Sequence, residues 1–165
     1  MKVSDKGLAE IAGHEGIVVE RYYDSVGVAT IGIGHTRSAG PPNPAQVRRT
    51  LSLEEVFEIF RRDIEKFESR VNDAVEVPLE QHEFDALVSF DFNTGGIFRA
   101  RLTRLLNAGD KEAAAKAFMG WLSPPEIKGR RTSEMTLFRT GRYGDGRATV
   151  YTADALGRVL WSEGK

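Results

Sequence analysis

Over the first fifteen positions Leu8, Ile11 and Ala12 recur at helical spacing behind Ser4, a good N-cap. They predict a helix from about Ser4 to Glu15 that Gly16 ends. The period then changes. Between Val18 and Thr36 the residues Tyr22, Tyr23, Val28, Thr30, Ile31 and Ile33 are broken by Gly27, Gly32 and Gly34, which predicts a short β-hairpin and the one clear sheet region of the chain. Residues 38–46 are Pro-rich and read as a surface loop. From Ser52 the helical period returns in Leu53, Val56, Phe57, Phe60, Ile64, Phe67, Val71 and Val75, opened by a Ser52–Glu55 capping box and stopped by Pro78. At ~1.5 Å per residue this helix extends roughly 35 Å, enough to join two lobes.

Beyond it, Glu80 to Asn93 carries Phe84, Leu87, Val88, Phe90 and Phe92, so apolar all round that it predicts the central helix of a helical lobe, ended by Gly95 and Gly96. Further helices are expected at about 99–107, 111–121 and 129–140, the last capped by Gly141. The tail from Tyr143 is Gly-rich, then alternates at Thr149-Val150-Tyr151 and Arg158-Val159-Leu160-Trp161, which suggests a packed extension with marginal strands. No internal repeat is evident.

Composition narrows the function. With 165 residues and 41% hydrophobic positions, one folded domain is expected. The absence of cysteine excludes a disulfide framework and a thiolate zinc site, and three scattered histidines are a poor basis for any metal, so neither metal nor cofactor is expected. The polar start resembles no signal peptide and no stretch is long enough to span a membrane, which predicts a cytoplasmic product without stable membrane association. A net charge of −1 argues against a dedicated nucleic-acid protein. The charge is uneven: Glu54 to Asp91 holds 12 acids and 4 bases, Lys128 to Lys165 holds 8 bases and 4 acids. A basic C-terminal face suits an anionic polymer, a merely solvated surface being the plainer reading.

Two carboxylates stand out. Glu15 follows Ile11 by four residues and Ala12 by three, which puts it on the buried stripe of the first helix, where a carboxyl is costly unless used or paired. A helix-end acid exposed by fraying at Gly16 is the alternative. A three-residue loop at Val26-Gly27-Val28 would set Asp24 opposite Thr30, an acceptor and a hydroxyl able to hold one water, although an Asp before a turn and a Thr in a strand are both ordinary. Gly32-Ile33-Gly34-His35 lacks the Lys of a phosphate loop. His14 and His82 are expected to be exposed, and Trp121 and Trp161 to pack in the core.

His-Glu-Gly at 14–16, Tyr-Tyr-Asp-Ser-Val-Gly at 22–27 and Ala-Thr-Ile-Gly-Ile-Gly-His-Thr at 29–36 together resemble the phage-type lysozymes, glycoside hydrolase family twenty-four. The spacing Glu, eight residues, Asp, five residues, Thr matches in full, and Ala86 to Gly95, Leu106 to Asp110 and Phe138 to Tyr143 extend the likeness to residues 4 to about 145. The resemblance implies an α+β, lysozyme-like fold, mostly helical: a small β-hairpin lobe at about 15–50, an inter-lobe helix at 52–75, a helical lobe of 79–145 with 1–14, and a C-terminal extension at 146–165. It implies a monomeric muramidase acting on bacterial peptidoglycan glycan strands, released through a holin-like pore. In that family pattern Glu15 is the general acid, Asp24 the second carboxylate and Thr30 the residue that positions water. Asn93, Phe92 and His35 are implied as substrate contacts, His35 also facing the long helix, and Arg130, with Arg131 as fallback, as the cation facing Glu15. A lytic transglycosylase and a non-catalytic peptidoglycan-binding module remain alternatives at this point.

Overall fold

The computed structural model describes residues 1–165, Ser162 by its backbone alone. The chain divides into two compact units, one of Met1–Ile11 with Ile64–Gly146, the other of Ala12–Asp63 with Arg147–Lys165.

The first unit is helical. It holds the start of α1 (Asp5–Glu15), the end of α2 (Leu53–Ala74), and α3 (Gln81–Thr94), α4 (Arg101–Asn107), α5 (Lys111–Ala117) and α6 (Lys128–Thr140). The apolar run that predicted a central helix does form one, for every α3 residue from Glu83 to Asp91 is buried. Phe90 sits edge-on to Phe118 and Trp121 at ring separations of 5.6 and 5.2 Å, and Phe118 meets Phe138 of α6 at 5.5 Å. Aromatic side chains of this size dominate a core through the apolar area they remove from water. Gly95 ends α3 in the left-handed conformation, and Gly96 lies so close to the Trp121 ring that a Cβ there would stand 2.6 Å from it.

The buried Asp85 of α3 ties down the start of α1. Its carboxylate accepts bonds from the Ser4 backbone N–H, the Ser4 hydroxyl and the Tyr143 hydroxyl, while Ser4 Oγ caps the helix by accepting from Gly7 N–H at 3.0 Å.

The second unit is built on a four-stranded sheet ordered β3-β2-β1-β4, with β1 Ile17–Tyr23, β2 Ala29–Gly32, β3 His35–Thr36 and β4 Val150–Tyr151. β1–β2–β3 is an antiparallel meander, and β4 pairs parallel to β1. The C-terminal extension therefore belongs to this unit and follows the outer edge of β1, with Ile17 N–H donating to Thr149 O and Tyr23 N–H to Gly157 O, both at 2.9 Å. An uncovered edge of this kind offers unpaired backbone groups. Residues 149–157 supply their partners.

Several expectations need correction. The helix expected at 111–121 is α-helical only to Ala117 and tightens into a 3₁₀ turn at Phe118–Gly120. Residues 158–161 form no strand; Ala153 and Val159 make an isolated bridge. Trp161 is 63% exposed rather than in the core, meeting Tyr151 edge-on at 4.8 Å. His14 and His82 are half-buried rather than exposed, and His82 Nδ1 lies 2.9 Å from Leu137 O.

Candidate functional site

Asp24 follows β1 and opens a tight turn whose loop is Ser25-Val26-Gly27. Asp24 N–H donates to Val28 O at 3.0 Å, Gly27 N–H donates to Asp24 O at 3.0 Å, and Gly27 supplies the positive φ of 82° that the turn requires. The side chain reinforces this backbone: Asp24 Oδ1 accepts from the N–H groups of both Val26 and Val28 at 2.9 Å. One carboxylate oxygen is thus built into the turn. Among the described residues Oδ2 takes no hydrogen bond.

The register differs from the expected one. Tyr22, not Asp24, pairs with Thr30, and Tyr23 pairs with Ala29, because the loop begins one residue earlier than Val26-Gly27-Val28. Asp24 is therefore diagonal to Thr30 on the hairpin, two residues beyond Thr30's partner and on the same face by strand alternation. Thr30 is 3% exposed and its hydroxyl donates to Val28 O at 2.9 Å, leaving the oxygen's lone pairs as acceptors.

Glu15 is the last residue of α1, before Gly16 at φ 77°. It is exposed, so the expectation of a buried carboxyl is corrected: the apolar stripe runs out with Ala12, and the helix stops before another turn can cover position 15. Tyr22, which the sequence reading did not single out, links the two acids. Burial chiefly, then the negative charge of Asp24 and that of Glu15, raise its phenol above the ordinary tyrosine value. Both carboxylates thus act on one side chain, the cross-strand partner of Thr30.

His35 is 1% exposed, with Nδ1 2.7 Å from Asp63 Oδ2 on α2 and Nε2 2.9 Å from Pro42 O. Both ring nitrogens are engaged, so the expected substrate contact is corrected and the structural reading of a histidine facing the long helix stands. It fastens β3 to α2 and to the Pro-rich loop. Burial raises the Asp63 carboxyl, with His35 and then Arg62 pulling it down.

The remaining candidates lie in the helical unit. Arg130, Arg131 and Glu134 of α6 are all buried, and the Glu134 carboxylate receives Arg130 Nε at 3.1 Å, the Ser89 hydroxyl at 2.5 Å and Arg131 Nη1. Arg130 Nη2 also donates to Ser89 O at 3.0 Å. Arg131 further donates to Trp121 O at 3.0 Å and to Asn93 Oδ1, and lies over the Phe90 ring. Asn93 itself is exposed, and the half-buried Phe92 packs edge-on against Phe67 at 5.1 Å. In this cluster two guanidiniums share one buried carboxylate. Among the described residues no group of His, Asp and Glu could hold a metal ion.

Comparison with known proteins gives this geometry a family. The Phage lysozyme family model matches residues 12–139. The chain is 35% identical to the endolysin of Salmonella phage P22 over 144 residues, 84% of this chain and 98% of that protein. Among solved structures it is similar to an endolysin from Escherichia coli O157:H7 phage FAHEc1, with a TM-score of 0.79 and 33% identity over 88% of this chain and 98% of the other. It is likewise similar to the muramidase domain of SpmX from Asticaccaulis excentricus, with a TM-score of 0.72 and 32% identity over 84% and 98% of the two chains. With a family model spanning most of its length and relatives above 30% identity across nearly their whole sequences, this chain belongs to the phage lysozyme family.

Proposed function

We propose that the protein is a muramidase that cleaves the β-1,4 bond between N-acetylmuramic acid and N-acetylglucosamine in peptidoglycan. Glu15 donates a proton to the leaving oxygen, Asp24 Oδ2 activates water or stabilises the oxocarbenium-like state, and Thr30 positions the water. The observation that carries this reading is the Tyr22 phenol, on which the charges of Asp24 and Glu15 both act and opposite which Thr30 stands. Asp24 adds to it by committing one oxygen to its turn, which fixes the carboxylate and leaves the other oxygen to work.

Arg130 serves as the cation that holds Glu15. The support is the likeness of residues 138–143 to the family pattern, which puts an arginine at this place in α6. Asn93 and Phe92 are substrate contacts in the same reading. The enzyme acts as a monomer on the cell wall and reaches it through a pore supplied by another protein; among the described residues no helix is long and apolar enough to cross a membrane.

The test is Glu15→Gln, which keeps the shape of the side chain and removes its acid. Clearing of a permeabilised Gram-negative cell suspension should fall by roughly 10²- to 10⁴-fold with the circular dichroism spectrum unchanged. A loss below about tenfold would sink the assignment. Mass analysis of the released muropeptides should find reducing ends, and anhydro-sugars instead would make the enzyme a lytic transglycosylase.

A further inference from the structure

The extension that follows β1 also helps to enclose a groove in the sheet unit. Its volume is about 360 Å³, and its lining includes Glu20 and Arg21 of β1, Arg48 and Arg49 from the loop before α2, and Ala153 and Asp154 of the extension. That size falls within the range of small-ligand sites.

The carboxylates lining the groove already serve the fold. Glu20 Oε2 accepts from the Thr50 hydroxyl at 3.1 Å and its Oε1 from Ala153 N–H at 3.0 Å. Asp154 Oδ1 accepts from the N–H groups of Leu156 and Arg158, and its Oδ2 from Arg158 Nε. One arginine is likewise taken, since both terminal nitrogens of Arg49 donate to Glu55 and hold that carboxyl down at about 2. The other two keep most of their donors. Arg21 gives one bond, from Nη1 to Ala45 O at 3.1 Å, and Arg48 makes no hydrogen bond or ion pair among the described residues. A guanidinium is a planar fork of donors that matches a carboxylate on two parallel bonds.

We propose that this groove binds a free carboxylate of the peptidoglycan stem peptide, with Arg48 and Arg21 as donors. The identity of the polymer rests on the muramidase reading; the preference for a carboxylate rests on the groove alone. Three arginines against two acids leave one positive charge in the lining, which suits a singly charged carboxylate better than a doubly charged phosphate. The glycan would then be recognised through its peptide as well as its sugars.

The test titrates the isotope-labelled, full-length protein with N-acetyl-D-alanyl-D-alanine, with its C-terminal amide and with inorganic phosphate. The carboxylate peptide should shift the amide resonances of Thr50, Ala153 and Ala155 saturably, and the amide and phosphate should not at the same concentrations. Arg21→Gln/Arg48→Gln should weaken peptide binding about tenfold, the worth of one charge-assisted bond. Arg48→Gln alone, which removes no intramolecular bond, should weaken it about threefold and guards against misfolding of the pair. In a pull-down on ice the double variant should lose binding to intact sacculi relative to sacculi stripped of their peptides. Absence of saturable shifts, equal binding of the amide, tighter binding of phosphate, or unchanged binding by the variants would each overturn the proposal. The dipeptide contains no sugar, so its binding stands or falls independently of the glycosidase assignment, whereas an equal effect on intact and stripped sacculi would defeat the stem peptide as the natural ligand.

Discussion

Asp24 and Asp154 hold the same turn. In each, the aspartate N–H donates to the carbonyl four residues on, the glycine three residues on donates back to the aspartate carbonyl, and Oδ1 accepts from the N–H groups two and four residues on. The difference lies at the fifth position. Arg158 donates from Nε to Asp154 Oδ2 at 2.7 Å, whereas the residue in the same place beside Asp24 is Val28, which cannot. The carboxylate of the C-terminal turn is neutralised by its own turn and that of Asp24 is left open.

Val28→Arg should therefore install the missing clamp and silence Asp24. Activity in the cell-clearing assay should fall on the order of 10²-fold, with Val28→Leu close to the unmodified protein. Full activity in the arginine variant would mean that Asp24 Oδ2 is not the working atom.

His35 should matter to stability before it matters to substrate. Asp63→Ala leaves a buried ring nitrogen without its partner and should cost about 1–3 kcal/mol in urea unfolding, with Asp63→Asn costing less because its amide oxygen still accepts. A rise in KM with stability unchanged would instead restore His35 as a substrate contact.

Much of the fold was legible because period and punctuation agree. The 3.6-residue stripe and the Ser52–Glu55 box gave α2 almost to its ends, and Glu55 N–H does donate to Ser52 Oγ at 3.1 Å. Gly16 and Gly141 both end helices at positive φ as expected. The hairpin register was missed by one residue on each strand because Asp24 takes part in the loop through its side chain, which composition around Gly27 does not reveal. Comparison of Asp24-Ser-Val-Gly-Val with Asp154-Ala-Leu-Gly-Arg was the available signal. Glu15 was misread as buried because a stripe says which face a residue is on, not whether anything covers that face at a helix end.

The buried cluster of α6 should be sensitive to loss of its one acid. Glu134→Gln removes the negative charge that meets the fully buried Arg131 and should destabilise the protein by about 3–5 kcal/mol, since the Arg131 guanidinium then keeps its charge in the interior without that carboxylate. Thermal unfolding should drop by roughly 10 °C for a chain of this size. A change under about 1 kcal/mol would show that water reaches the cluster.

Alkaline pH should loosen the anchor at the start of α1. The Tyr143 hydroxyl donates to Asp85 Oδ2 at 2.6 Å, and burial first, then this bond to a carboxylate, push the phenol up from 10.0 to about 12. A phenol whose folded value lies above its unfolded one binds its proton more tightly in the folded state. Its contribution is therefore complete below about pH 10 and is lost as pH climbs toward 12. Ionisation would set a phenolate against Asp85, the residue that also holds the Ser4 cap, so the loss should be felt in α1. Tyr143 is half-buried rather than fully buried, and the solvent that reaches it keeps the effect modest. Tyr22 acts in the same direction through burial and its two acidic neighbours, so some alkaline loss should remain when Tyr143 is removed. Urea unfolding followed from pH 9 to 12 should show stability falling more steeply in the unmodified protein than in Tyr143→Phe, and tyrosine absorbance should place one phenol near 12. Parallel curves for the two proteins would mean that the Tyr143–Asp85 bond contributes nothing to folding.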